Sequence, residues 1–428
     1  MKKCALILSF LLLITYSMSF ADNLNIVGEG AILIDGETGQ ILYEKNSHKK
    51  LYPASTTKIM TAILAIEKGN MEDIVTIDEE IVYLTDGSHI ALEPGEKIKF
   101  EDLLNALLIE SANDAAFAIA KHISGSIDEF VQMMNDKAKE LGALNTNFTN
   151  PNGLPDENHV TTAYDLSLIA KYAMGIEKFR DIVKNYTYQI PITNKKNEIR
   201  YLKSHNKLLY STKKIDVDGK WVPIKYNGVN GIKTGYTQAA KSCLVTSAKR
   251  NNQELIAVVL KSEGYSLYSD IHKLLNYGFD NFEKVIISNK NQFVDNISLT
   301  DGIYPLVAGI TNEDLIRTIP KGSKDKIEKK IQFNEEIHAP IKKDQILGKI
   351  EYYLEGQLLG QTDIISTLNV DKIPDETWID KIKSKWYLSF VGLGIILIIL
   401  IILRINILIK RKQKRRRRSS LYGIKSQN

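Results

Sequence analysis

Three short runs hold the side chains whose types and spacing could do chemistry: Ser55-Thr56-Thr57-Lys58, Ser111-Ala112-Asn113 and Lys233-Thr234-Gly235. A lysine three residues after a serine shares its helix face, so the Lys58 amine falls beside the Ser55 hydroxyl. Buried by Ile59, Met60 and their neighbours, and near a second cation, Lys58 would lose its proton and serve as a base for Ser55. If Ser55 opens a helix, its backbone N–H has no intrahelical partner and is free to bind an oxyanion. Ser111 could relay a proton to a leaving amine, and Asn113 could hydrogen-bond a substrate amide. Lys233 and Thr234 offer a cation and a hydroxyl to a terminal carboxylate. Gly235 leaves room where a substrate backbone would lie alongside a strand. The set suits attack on an amide carbonyl next to a carboxylate.

Each run also has a plain structural explanation. Ser55 could be an N-cap beside a solvated lysine, Ser111 an inter-helix cap, and Lys233-Thr234-Gly235 a strand-end turn. The serine–lysine spacing recurs at Ser47/Lys50, Ser204/Lys207, Ser211/Lys214 and Ser323/Lys326, and Ser204-His205-Asn206 repeats the second pattern. Those decoys sit in polar, lysine-rich stretches. Ser55 instead follows Pro53-Ala54 and leads into a long apolar run, and Ser111 separates two apolar stretches. Lys233-Thr234-Gly235 is the one lysine-hydroxyl-glycine run in the chain.

The elements that must position these residues are legible around them. Ala31–Ile34 and Gln40–Tyr43 flank a Gly-containing turn and read as a hairpin. Ile59–Glu67 is helical up to the stop at Gly69. Leu103–Ile109 and Ala115–Ile123 are two more helices, with Glu110–Asp114 between them, and Asp165–Met174 is another. Val229–Thr234, Cys243–Ala248 and Leu255–Leu260 read as successive antiparallel strands. Helices inserted between an early hairpin and late strands predict an α/β (α+β) domain with an antiparallel sheet over residues 22–281. Residues 282–372 carry short alternating stretches and Gly turns at Gly302, Gly322 and Gly356, which predict a small all-β domain.

The 428 residues, 44% hydrophobic and 25% charged, are enough for more than one core and exclude compositional disorder. Lys2 and Lys3, the apolar stretch Ala5–Tyr16 and Ser19-Phe20-Ala21 read as a secretory signal over 1–21, cut after Ala21. Cys4 lies within it, so Cys243 is left without a partner and reads as a buried, inert thiol. The net charge of +5 comes from the ends, because Lys2, Lys3 and the ten basic, acid-free residues from Arg404 onward hide a mildly acidic body. Nothing in that body calls for nucleic acid. After a linker at 373–385, residues 386–409 are apolar apart from Ser389, Arg404 and Asn406, long enough to cross a hydrocarbon core of about 30 Å. The tail at 410–428 is polybasic, which places it in the cytoplasm and the body outside.

The three runs in this order are the signature of penicillin-binding proteins and class A β-lactamases. The chain resembles the serine-type D-alanyl-D-alanine carboxypeptidases, the low-molecular-mass penicillin-binding proteins, over about 25–372. The resemblance rests on Ala54–Ala62, Ser111–Ala116, Asn150-Pro151-Asn152-Gly153-Leu154-Pro155, Gly231–Thr237 and the later stretch Ala339–Gln345. It implies a β-lactamase/transpeptidase-like domain, with Ser55 as acyl-enzyme nucleophile, Lys58 as base and Ser111 as relay. Asn113, Lys233 and Thr234 would bind substrate, and the backbone N–H groups of Ser55 and Tyr236 would form the oxyanion hole. The implied substrate is the peptidoglycan stem pentapeptide, β-lactams would acylate the same serine, and no metal or cofactor is implied. Three features depart from the pattern. His205 stands where some members have an arginine, the stretch 209–231 is longer, with Tyr210–Tyr226 a candidate flap near the site, and a hydrophobic span replaces an amphipathic anchor. A β-lactamase, which would need a deacylating carboxylate such as Glu157, a D,D-endopeptidase and a non-catalytic wall-binding protein are the alternatives.

Overall fold

A computed structural model describes residues 24–375 and 378–422, with side chains up to Arg417. The expected signal at 1–21 lies outside the described residues. Two compact units are present: residues 24–290 with 313–331 and 350–362, and 291–312 with 332–349 and 363–422.

The first unit is built on a five-stranded antiparallel sheet. Its strands are β1 (Gly30–Asp35), β2 (Ile41–Lys45), β3 (Val229–Thr237), β4 (Lys241–Arg250) and β5 (Gln253–Ser262), in the order β2-β1-β5-β4-β3. The predicted hairpin and the three late strands are all in it, and the chain's two ends meet where β1 pairs β5 from Gly30↔Leu260 to Asp35↔Leu255. Both faces of this sheet are covered, which is why β4 and β5 read as nearly continuous apolar runs. One face is covered by a helical layer of α1 (Lys58–Lys68), α2 (Phe100–Asn105), α3 (Asn113–Ser124), α4 (Ile127–Glu140) and α5 (Ala163–Gly175), whose Ile59, Ile63, Leu103, Ala115, Phe130 and Ile169 share one buried cluster with Ile32, Val245 and Val258 of the sheet. On the other packs α6 (Ser266–Asn281), through Leu267, Ile271, Leu274 and Leu275 against Leu33, Leu244 and Val259. Strand β3 is at the sheet edge, with no further strand paired beyond it among the described residues, and it runs beside the nucleophile turn.

Two details differ from expectation. Ser55 lies on a single 3-10 turn, Ala54–Thr57, and α1 starts at Lys58. The segment after α2 continues as a π-turn, Ala106–Glu110, and Ser111 then takes a left-handed conformation with φ 64°. The stretch Tyr210–Tyr226 forms a hairpin (Lys214–Val217 with Lys220–Pro223) whose Ile215, Val217, Ile224 and Tyr226 are buried in the core beside α6. It is therefore a buttress of that face, and only its base at Tyr210 reaches the cleft.

Strand Phe282–Ser288 pairs with Leu315–Pro320. Thr318 accounts for the inclusion of that pair in the first unit: its hydroxyl donates to Asp35 Oδ2 (2.6 Å), and its carbonyl accepts from Gln40 Nε2 (2.7 Å). A second five-stranded sheet joins segments of residues 293–366, so the expected β-rich region is present. A single helix, α7 (Trp378–Tyr422), follows and begins inside the segment expected to be linker. Its apolar stretch is fully exposed, and it is long and apolar enough to cross a membrane.

Candidate active site

The nucleophile turn is held from below and from the side. Thr56 returns to the Pro53 carbonyl through both its N–H (3.3 Å) and its hydroxyl (2.7 Å). Ala54 sits at φ 48°, a region costly for a residue with a Cβ. Two glycines let the turn be approached closely. A Cβ on Gly153 would fall 1.9 Å from the Ala54 carbonyl oxygen, and one on Gly235 would fall 2.9 Å from Ser55 N. The reason first given for Gly235 is thereby revised: it lets β3 abut the nucleophile turn. Beneath the turn, His159 Nδ1 accepts from the Thr149 N–H (3.1 Å), so its proton is on Nε2 and points at Thr57 Oγ1 (2.8 Å). Burial holds this imidazole neutral, with a pKa of about 4.

Lys58 is 0% exposed, and its Nζ donates to Asn113 Oδ1 (2.6 Å) and the Asn152 carbonyl (2.7 Å) and lies 3.1 Å from Ser55 Oγ. None of these partners is an anion. Burial, reinforced by the nearby Lys233 ammonium, pushes its pKa well below the usual lysine value, against the opposing pull of Asp114. A neutral amine at hydrogen-bond distance from a hydroxyl is what proton abstraction requires.

Across the cleft, Lys233 is 2% exposed and donates to Ser111 Oγ (2.9 Å) and to the Thr234 carbonyl (3.1 Å). Burial lowers its pKa to about 7, with Glu110 pulling the other way. The left-handed turn at Ser111 aims its hydroxyl toward Lys233. Asn113 braces this corner. Its Oδ1 accepts from Lys58 Nζ and its Nδ2 donates to the Asp86 carbonyl, contacts the sequence did not indicate. Asp114 behind it accepts from the Ile90, Leu92 and Ala115 N–H groups and ties in the loop that carries Ser88.

Ser55, Ser88, Ser111, Thr234, Gly235 and Tyr236 line one cavity of about 620 Å³, which continues past β3 to His205, Lys207, Tyr210, Tyr265 and Tyr268. All the residues singled out in the sequence converge here, although Lys58, Asn113 and Lys233 lie beneath the surface rather than on it. Sequence reasoning missed Ser88, Tyr265, Tyr268 and the supporting His159, none of which stands in a local pattern, and it set Lys207 aside with the other serine–lysine decoys. Cys243, below Gly235 in the sheet, is buried, and burial pushes its thiol up to about 12. Glu157 is exposed and outside the cavity lining, so it does not supply the carboxylate a β-lactamase would need. Among the described residues no His, Cys, Asp and Glu group could hold a metal ion.

A covered antiparallel sheet with a serine–lysine pair facing a second such pair at its open edge defines a serine acyl-transfer enzyme of the penicillin-recognising class. Comparison with known proteins narrows the class. The family model for D-alanyl-D-alanine carboxypeptidase, Peptidase S11, matches residues 17–264, and that for the C-terminal domain of penicillin-binding protein 5 matches 282–372. The chain is 36% identical to the D-alanyl-D-alanine carboxypeptidase DacF of Bacillus subtilis over 366 residues, 84% of this chain and 90% of the relative. It is 30% identical to DacA of Escherichia coli K12 over 396 residues, 86% and 91% of the two chains. The crystal structure of penicillin binding protein 5 from Haemophilus influenzae superposes with a TM-score of 0.69 at 30% identity, covering 81% of this chain and 98% of that one. The chain belongs to the D-alanyl-D-alanine carboxypeptidase family of serine peptidases.

Proposed function

We propose that Ser55 is the nucleophile of a D-Ala-D-Ala carboxypeptidase that trims peptidoglycan stem pentapeptides. The observation that carries this is the buried, anion-free Lys58 amine 3.1 Å from Ser55 Oγ. Neutral Lys58 takes the Ser55 proton as Oγ attacks the carbonyl of the penultimate D-Ala. The tetrahedral oxyanion faces the backbone N–H groups of Ser55 and Tyr236. As the C–N bond breaks, the leaving amine takes a proton from the Ser111 hydroxyl, Lys233 replenishes Ser111, and the proton gathered by Lys58 restores Lys233, so Lys58 is neutral again. Free D-Ala departs and an ester on Ser55 remains. Water then attacks that ester, Lys58 takes its proton and returns it to Ser55 Oγ as the C–O bond breaks, and the shortened peptide leaves. Thr234 and the edge of β3 hold the peptide as an added strand. β-Lactams acylate the same serine because their strained amide takes the place of the scissile one.

We further propose that α7 crosses the membrane once, with the enzyme facing the wall and the basic tail in the cytoplasm. The charge asymmetry supports this, since eight of the nine residues from Lys410 to Arg418 are basic. The test of the chemistry is incubation with a D-Ala-D-Ala-terminated peptide with mass readout, beside labelling with a fluorescent penicillin. Ser55→Ala should abolish both D-Ala release and the covalent label. A label that survives the substitution would refute the assignment.

A further inference from the structure

We infer that Lys207 is the cation that binds the C-terminal carboxylate of the substrate, on the α6 side of strand β3. The inference rests on Ser55 being the nucleophile and goes on to name how the free carboxylate is recognised.

Strand register separates two halves of the cleft. Lys233 pairs with Val245 and Gly235 with Cys243, on the face covered by α1 and α5. Thr234 pairs with Leu244 and Tyr236 with Ser242, and Leu244 packs on the α6 face. The scissile bond is at Ser55, whereas the carboxylate of the departing residue lies beyond it and meets the Thr234 side of the strand. There the cavity is lined by Thr234, Ser242, Tyr265, Tyr268, Lys207 and Tyr210.

A carboxylate leaving water needs a cation or several donors. The other basic groups of the site are committed elsewhere. Lys58 is turned to Ser55, Asn113 and Asn152, and Lys233 to Ser111 and the Thr234 carbonyl. His205 lies 3.6 Å from Glu110 Oε1 and so already faces a carboxylate. Lys207 has no carboxylate partner among the described residues. It is half-buried, and its Nζ lies 5.1 Å from the centroid of the Tyr265 ring, which steadies an ammonium without neutralising it. Its backbone is fixed as well, because Asn206 Oδ1 accepts from the Leu208 N–H (3.2 Å) and Asn206 Nδ2 donates to the Gly231 carbonyl (3.0 Å). The turn that carries Lys207 is therefore bolted to β3. Lys213 stands over the same ring at 4.0 Å but does not line the cavity, which makes it the natural control.

The test uses the full chain in detergent with two peptides, one ending in D-Ala-D-Ala with a free carboxylate and one ending in the corresponding C-terminal amide. For Lys207→Gln, kcat/KM on the free acid should fall about tenfold or more, mainly through KM, the size expected for loss of one charge-assisted hydrogen bond. The amide should be cleaved as before, Lys207→Arg should recover most of the loss, and Lys213→Gln should resemble the parent. An unchanged acid-to-amide preference in Lys207→Gln, or equal losses in Lys207→Gln and Lys213→Gln, would overturn the inference. Failure of the underlying reading is distinguishable, because it would appear as penicillin labelling that survives Ser55→Ala.

Discussion

Two lysines share one cleft, and the charge of Lys233 bears on Lys58. Lys58 and Lys233 are both buried, and each hydrogen-bonds a serine. The Lys233 ammonium is one cause of the depressed pKa of Lys58. With Lys58 as the proposed base, activity should rise with pH as Lys58 loses its proton, and this ionisation should set the acid limb of kcat/KM. Lys233→Gln removes the repelling charge, so the pKa of Lys58 moves back toward its ordinary value. The acid limb should then shift to higher pH, and kcat/KM at neutral pH should fall by about a hundredfold or more as the proton relay to Ser111 is lost. A pH–rate profile of the variant decides the matter, and an acid limb that stays in place would show that Lys233 does not tune the base. These identities were legible in the sequence because local patterns encode them: i and i+3 place Lys58 by Ser55, and the lysine-hydroxyl-glycine run marks Lys233, although that run was read as ending a strand and instead sits within β3. The partners of Asn113 were not legible. Asp86 lies 27 residues away, on a loop with no pattern linking it to the site.

At the scale of elements, the site depends on how closely loops approach the nucleophile turn. Gly153 is the tightest point, with φ +87° and a virtual Cβ 1.9 Å from the Ala54 carbonyl oxygen. Gly219 is a useful contrast, because it has φ +82° but nothing within 4 Å. Gly219→Ala should cost only the conformational penalty, roughly 1 kcal/mol. Gly153→Ala should cost more, roughly 2–4 kcal/mol, and should also displace the Asn152 carbonyl from Lys58. Thermal unfolding measures the first effect and the rate of penicillin acylation the second. Equal Tm losses and an unchanged acylation rate in both variants would rule out the close-approach role. Helix and strand positions were readable from apolar periodicity, and the order of late strands followed from their succession. The π-turn at Ala106–Glu110 and the left-handed Ser111 were not, because neither glycine nor proline marks them. The packing of the surrounding helices imposes those conformations.

The whole chain comprises a catalytic unit, a strand-rich segment and a helix whose apolar stretch is exposed among the described residues. Helix α7 runs for 45 residues, whereas about 20 suffice to cross a hydrocarbon core of about 30 Å. The surplus is polar at both ends: Asp380, Lys381, Lys383 and Lys385 precede the apolar stretch, and the basic cluster from Lys410 follows it. Four charges of mixed sign lie on one side and a dense cationic run on the other. In the orientation proposed above, the cationic end is the one that resists translocation and remains where synthesis occurs. A peptide tag placed after Asn428 should be protected from protease added to wall-stripped cells, while Ser55 in the same cells takes up a fluorescent penicillin that does not cross membranes. Replacing the basic residues from Lys410 to Arg418 with glutamine should lower the fraction in this orientation, read as tag that becomes accessible. If the tag of the unaltered chain is digested while penicillin labelling persists, both ends lie outside and α7 lies on the surface rather than across the bilayer. If the tag is digested and labelling is lost, the chain is inverted and the enzyme could not reach a substrate displayed on the wall.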